Sequence, residues 1–439
     1  MEREHDLLLA GATLLTGAEV IRNGWLAISG DRISALGRYS PPPAKKTRSL
    51  DGHVVTPGFI NVHTHSPLTM VRGVAADLGF APSYTKGIPN ATSLSEEDAI
   101  ALSRLGAVEA MCFGSTLIGE HFVHADACVP ELAQLGLRVH ASLRLADLDW
   151  NAAMEGRLVH DPAIGDALLA RNVELFEAWN GKADGRIAVQ FAAHAADTCS
   201  DAFLQRISLQ AEKRNAIVNT HLGQSKLEVE RVKARTGKTS AQVLNDAGLM
   251  HGRLLCGHCI YLEDSDIALM KRAGAHVVHI PKCNAASGRL APTPKLAAAG
   301  LNLTLATDTQ HGDMVELMRW ALATARVQTG KVDDGWQPEH VFAMTTRNGA
   351  LALGLEKELG TLEAGKKADL VVFDFRRPHL VPAQDPLGNL VHTAQGRDIV
   401  AVYVDGRCVV ENGRPTQVDL EQVMADARRT IQKLWRQAA

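Results

Sequence analysis

The sequence predicts an α/β protein: a (β/α)8 barrel of the TIM type, joined to a small β-sandwich domain built from both chain ends. Three observations carry this. Eight short apolar runs alternate with helix-like segments through the middle of the chain, the pattern of repeated βα units around parallel strands. Both ends instead alternate apolar and polar residues between turns, as half-buried strands do. Several of the central runs also stop on histidine or aspartate, at the strand ends that line a barrel's active-site mouth.

Asp6 to Leu15, Trp25 to Ser29, the Gly30-Asp31 turn and Arg32 to Leu36 read as small hairpins, closed by the loop at Pro41 to Pro43. The barrel strands follow as Gly58–His65, Ser115–Glu120, Leu137–Leu145, Arg186–His194, Ala216–His221, Arg253–His258, His276–Ile280 and Leu301–Asp308. Helical periodicity lies between them, as in Glu96–Met111, Asp201–Arg214 and Thr239–Ala247. Strand style returns at Ala368–Asp374 and at Ile399–Val404, which runs into the Asp405-Gly406 turn; Asp419–Arg436 is a closing helix. The expected division is residues 1–57 and 359–439 for the β unit and residues 58–358 for the barrel. A doubly wound sheet would want a glycine-rich phosphate turn after its first strand. Here that strand ends His63-Thr64-His65.

Composition narrows the function class. The 439 residues carry 46 Lys and Arg against 49 Asp and Glu, a net charge of −3. That balance argues against nucleic acid or an anionic membrane as partner and for a small-molecule substrate. With 46% hydrophobic residues, disorder is excluded. Seven scattered cysteines, an odd number, point to a reducing compartment and thus the cytoplasm. The start, Met1 to Gly11, has acidic residues before a short apolar run, unlike a secretory signal, and no apolar stretch has membrane-spanning length. The β unit and the closing helix offer surfaces for a homodimer or higher homo-oligomer.

The residues able to carry chemistry are His63 with His65, His221, His258 and Asp308, all at predicted strand ends. His63 and His65 are two apart and share a strand face. Imidazoles with one carboxylate make an open site for a divalent ion, with room for water. Any one of these residues alone reads as a structural histidine or a helix cap; five converging on one barrel mouth do not.

This constellation resembles the amidohydrolase superfamily across nearly the whole chain. The matching stretches are Val55 to His65, Thr220 to Gln224, Gly257 to Cys259, Ala306 to Asp308 and Gly360 to Val372. The chain is most similar to the branch of cytosine, guanine and adenosine-type deaminases and triazine hydrolases. The resemblance implies a metal held by His63, His65, His221 and Asp308, with His258 contacting the bound water or the substrate. It also implies substrate-facing roles for His194 and Arg144, which end strands four and three. Two-metal members place a carboxylated lysine or a glutamate at the end of strand four; here that end is Phe191 to His194. One ion is therefore expected: zinc, with iron, manganese and cobalt also suited to the donors. Such an ion lowers the pKa of its water toward ~7, Asp308 serves as general base, and His258 orients the attack. The expected reaction is cleavage of a C–N bond in a small cyclic nitrogenous compound.

Two departures shape the substrate. Deaminases of that branch carry His-x-x-Glu on strand five, where the glutamate shuttles a proton; here the stretch is His221 to Gln224. Glutamine hydrogen-bonds but does not ionise. That keeps open hydrolysis of an exocyclic amide, urea or carbamate, or loss of another good leaving group such as halide from a heteroaromatic ring. The loop Leu78 to Tyr84 has no acid to grip a ribose, which disfavours an adenosyl nucleoside. Strand eight continues Thr309-Gln310-His311-Gly312 in place of the usual Gly and Ser-containing loop. Phe80, Tyr84 and Trp150 are candidate pocket walls, and His121, after strand two, is a candidate spare acid. Cys256 and Cys259 overlap a strand and have no second pair; His276 and His279 are three apart and face opposite ways. An inactive scaffold relative is the contrasting reading, and such relatives usually lose metal ligands.

Overall fold

The computed structural model describes residues 4–78, 85–309 and 311–438. Phe80 and Tyr84, and Gln310 after strand eight, lie outside the described residues.

The barrel forms as the sequence predicts. Its strands are Phe59–Thr64, Ser115–Phe122, Arg138–Leu145, Ile187–Val189 with Phe191–Ala195, Val218–Leu222, Leu254–His258, His276–His279 and Leu303–Leu305. They are parallel and hydrogen-bonded in chain order. Strand four is interrupted at Gln190, whose N–H still donates to the Ala141 carbonyl of strand three at 2.8 Å. Strands such as Ser115–Phe122 and Arg138–Leu145 are buried at every position, because helices cover the outside and side chains fill the inside. At Gly119 a Cβ would fall 2.2 Å from the Val62 carbonyl oxygen, so only glycine lets strands one and two approach there.

Strand eight closes the barrel through the candidate site itself. The Asp308 N–H donates to the His63 carbonyl at 3.1 Å, and the His65 N–H donates to the Asp308 carbonyl at 2.7 Å. Asn61 and Thr307 join the same two strands by a pair of hydrogen bonds, at 2.8 and 3.1 Å. The short strand Leu303–Leu305 ends before the Asp308 that the sequence pattern included in it, because Asp308 takes a left-handed conformation, φ +63°, which a strand cannot continue.

Strands from both chain ends make a second sheet. His5–Leu15 pairs with Ala44–Ser49 along its first half and with His53–Pro57 along its second, so the sheet forks around a core of Leu9, Leu14, Leu26, Ile33, Val55, Leu370 and Tyr403. Leu370–Asp374 and Ile399–Val404 extend it from the other end of the chain. A buried ionic knot ties it to the barrel: Arg138 reaches both carboxylate oxygens of Asp369, at 2.9 and 3.0 Å, and also Asp405.

The closing helix, Leu420–Ala438, lies on the helix Glu96–Cys112. Its Trp435 indole donates to the Met70 carbonyl at 2.8 Å, and Lys433 pairs with Asp98 at 2.7 Å. It thus braces the turn Ser66–Val71, which leaves strand one directly after His65.

Candidate metal centre

Three imidazoles and a carboxylate converge at the barrel mouth. The Nε2 atoms of His63 and His65 are 3.1 Å apart, and those of His65 and His221 3.2 Å. An Asp308 oxygen lies 3.7 and 3.5 Å from His63 and His65. One ligand atom from each of the four residues falls within 4.8 Å of the others.

The far side of each ring fixes its tautomer. His63 Nδ1 meets the Asn219 side-chain oxygen at 2.8 Å, His65 Nδ1 the His121 carbonyl at 2.5 Å and His221 Nδ1 the His194 carbonyl at 2.7 Å. Each oxygen accepts the Nδ1–H, so all three Nε2 lone pairs point at a common space. Burial and mutual repulsion hold His63 and His65 well below the usual histidine range, and burial pushes His221 down to about 4. The rings are therefore neutral donors. Burial pushes the Asp308 carboxyl up to about 7. Neutral imidazoles beside a carboxylate with no cation in contact are a donor set suited to a divalent ion.

His258 ends strand six at φ +67°, and its neighbour Cys259 is at φ +54°. These and Asp308 are non-glycine residues in a sparsely populated region, the kind of local strain that gathers at functional sites. The His258 ring stacks on His221, with centroids 5.3 Å apart and planes at 26°. Its Nδ1–H is taken by Asn284 Oδ1 at 3.0 Å, and burial lowers it to about 3. A neutral His258 thus keeps Nε2 as an acceptor.

A wall stands beside the cluster. His194 packs edge-on to His221 with centroids 4.8 Å apart, and its Nδ1 contacts Thr198 Oγ1 at 2.7 Å. Trp150 meets His194 edge to face at 5.3 Å. The Arg144 guanidinium lies 4.3 Å from the Trp150 ring centre and 5.4 Å from that of Phe122. Trp150 opens the short helix Trp150–Met154, capped by Asp149.

Two expected residues sit differently from the rest. His121 is buried, with Nε2 on the Gln190 side-chain oxygen at 2.9 Å. Its remaining nitrogen, Nδ1, has no partner among the described residues, so any approach to substrate runs through that atom. Gln224 is half-buried just past strand five. Its backbone N–H donates to Glu228 at 2.8 Å and its carbonyl accepts from Arg289 at 3.0 Å. Cys256 and Cys259 are free thiols. His276 is tied to Gly252 and Asn302, while His279 is buried with neither nitrogen partnered.

Sequence reasoning missed the supporting residues Asn219, Asn284, Gln190 and Glu228, while Glu120, which ends predicted strand two, was a candidate to face the pocket. Glu120 accepts the Ser66 N–H with both oxygens at 3.1 Å, locking the turn after His65. Glu228 does the same for Gly223 and Gln224 after His221. Asn219 had a legible signal: it stands two residues before His221 and so shares its strand face.

Comparison with known proteins agrees with this geometry. The model of the amidohydrolase family matches residues 54–409. A 5'-deoxyadenosine deaminase of Methanosarcina acetivorans is 33% identical over 439 residues, covering 98% of each chain. A 5-methylthioadenosine/S-adenosylhomocysteine deaminase of Moorella thermoacetica is 34% identical over 94% of this chain and 96% of its own. Among solved structures, a zinc-bound adenosine deaminase from Xanthomonas campestris superposes with a TM-score of 0.87 at 25% identity, over 98% of this chain and 99% of that one. A triazine hydrolase variant reaches 0.86 at 20% identity, over 98% and 100%, a likeness of fold.

Proposed function

The chain belongs to the amidohydrolase family and is a metal-dependent hydrolase of carbon–nitrogen bonds; from that premise we propose that it deaminates an amino-substituted nitrogen heterocycle of the adenine type, using one zinc ion. The observation that carries this reading is the set of three Nε2 lone pairs and one carboxylate, each ring locked from behind. His63, His65, His221 and Asp308 hold the ion. Zinc is supported by the zinc-bound adenosine deaminase of the same fold. A single ion is supported by strand four, which brings no carboxylate or lysine to the cluster.

The ion supplies the Lewis acidity that makes water nucleophilic near neutral pH. Asp308 receives the water's proton, poised by its burial at the edge of the cluster. His258 Nε2 accepts a hydrogen bond from the attacking group and holds its direction, its ring pinned by Asn284 and His221. His194 presents Nε2 to the substrate ring, while Trp150, with Arg144 stacked on it, forms the wall against which a flat heterocycle lies.

The adenine-type ring is supported by the deaminases that match over nearly their full lengths. The missing acid between Leu78 and Tyr84 separates the ring from the sugar: no ribose grip is carried over. A second reading is favoured by Gln224 itself. A group that departs as a stable anion needs no proton from strand five, so loss of halide or hydrolysis of an exocyclic amide, urea or carbamate fits the same centre. Cytoplasmic residence is supported by seven free thiols, and a homo-oligomer built on the β unit, residues 1–57 and 359–439, completes the reading.

The test is metal analysis followed by turnover. Zinc near one equivalent, with ammonia released from aminopurines or adenine nucleosides, is expected, and chelation should abolish it. Release of chloride or an alkylamine from substituted triazines, without ammonia from any aminopurine, would select the second reading. A protein that binds no metal under any loading condition would refute both.

A further inference from the structure

At the opposite end of the barrel from the metal cluster lies a cavity of about 520 Å³, lined where strands three to six begin. Its charges can be accounted for one by one. Asp184 meets Arg186 at 3.3 Å and Arg407 at 3.7 Å, and Glu358 meets Arg32 at 2.9 Å. Among the cations, Arg138 is held by Asp369 and Asp405, Arg214 by Glu177 at 3.0 Å, and Lys367 by Asp31 and by Asp405 at 3.4 Å. Arg253 is the exception: its side chain makes no ion pair or hydrogen bond with any described residue, and its Nε is buried without a partner. Arg253 as a whole is half-buried, but a buried N–H without an acceptor is costly and calls for a partner.

A second donor faces the same space. His140 lines the cavity and is 7% exposed. Its Nδ1 accepts from the Gln190 amide at 3.1 Å, and Gln190 in turn accepts from His121. Burial keeps the ring neutral, pushing it down to about 3. With Nδ1 an acceptor, the proton sits on Nε2, which has no partner among the described residues. Around these donors the lining is apolar: Phe176, Ile217, Leu353, Leu355 and Leu359.

We propose that this cavity is a second ligand site, taking a small organic monoanion whose carboxylate meets Arg253 and His140 and whose apolar body meets Phe176, Ile217 and Leu353. One uncompensated positive charge calls for a single negative one. The planar guanidinium matches a carboxylate by two parallel hydrogen bonds. The volume suits one aromatic ring with its carboxylate. The site stands apart from the metal chemistry and does not depend on the substrate proposed above.

Benzoate is the probe, titrated calorimetrically into metal-loaded protein. The parent is expected to bind it, Arg253→Met to bind at least tenfold more weakly, and Arg253→Lys to fall between. The Arg253 side chain bonds no described residue, so its replacement should leave the melting temperature and the ammonia-releasing activity intact. Carboxylates also bind metal centres, and such binding would be blind to Arg253. No binding at millimolar benzoate, or a loss below threefold in Arg253→Met, would therefore overturn the proposal. If that variant does not fold, crystals of the parent soaked in 4-bromobenzoate decide the matter. An anomalous bromine peak in the cavity supports the site; a peak confined to the metal cluster, or none, overturns it.

Discussion

Replacing Asn219 by leucine should weaken binding of the proposed zinc ion by about 10- to 100-fold while leaving His63, His65, His221 and Asp308 in place. Asn219 is 1% exposed, accepts the His63 Nδ1–H at 2.8 Å, and donates to the Val62 carbonyl at 3.3 Å. Leucine has the same branched shape and number of side-chain heavy atoms, so the packing between strands one and five is disturbed little. The His63 Nδ1–H, however, is left buried and unsatisfied, at a cost of about 1–3 kcal/mol. The imidazole then gains by rotating or by moving its proton to Nε2, and either change removes its lone pair from the cluster. Second-contact partners of this kind are worth about 10- to 100-fold in metal affinity, or roughly 1.4–2.7 kcal/mol. Asn219→Asp is the internal control, because a carboxylate still accepts the Nδ1–H and makes the imidazole more basic. Zinc affinity is read by competition with a chromophoric chelator, kcat at saturating zinc, and folding by circular dichroism and thermal melting of the apoprotein. Affinity within twofold of the parent in a folded Asn219→Leu protein would refute the argument that this hydrogen bond orients His63.

Other consequences follow from the same structure. Gln224→Glu should keep its metal and gain an ionising group in the pH–rate profile; metal loss there would show that Gln224 supports the ion. Arg138→Met should lose about 3–5 kcal/mol in chemical denaturation, since it leaves Asp369 a buried carboxylate without its cation, while Asp405 keeps Lys367. Arg157→Met, which removes an exposed pair with Glu155, should leave the denaturation midpoint almost unchanged, and equal losses would sink the distinction. Burial and the neighbouring Asp197 raise Glu228 from 4.5 to about 7, so the native state holds a proton that the unfolded chain has released. Its contribution to stability accordingly falls as pH rises from about 4.5 to about 7 and is flat above. Glu228→Gln removes that component, so the melting temperature of the variant relative to the parent should be more favourable at pH 8 than at pH 5. The same difference at both pH values would place the proton elsewhere.

The barrel and the histidine–aspartate cluster were legible in the sequence because both rest on local, periodic signals. A buried parallel strand must be apolar throughout, so a histidine or aspartate ending such a run stands out against its own segment. His63, His65, His221 and Asp308 meet in space because parallel strands all end at the same rim, a consequence of topology that needs no coordinates. Boundaries followed less well. Strand eight stops at Leu305, since nothing in the residue types announces the left-handed turn at Asp308.

Only the tertiary structure decided how those residues are held. Asn219, Asn284 and the carbonyls of His121 and His194 fix the ring tautomers; apart from the place of Asn219 two residues before His221, none of them carries a signature along the chain. Whether a charge has a partner is equally invisible along the chain. Arg138 and Arg253 are both arginines at the start of barrel strands, one locked between two carboxylates beside the second sheet and the other facing an open cavity. Sequence specifies which chemical groups are available and, through periodicity, which end of the fold they reach. Their protonation, direction and pairing depend on contacts between segments up to hundreds of residues apart, and those contacts exist only once the chain has folded.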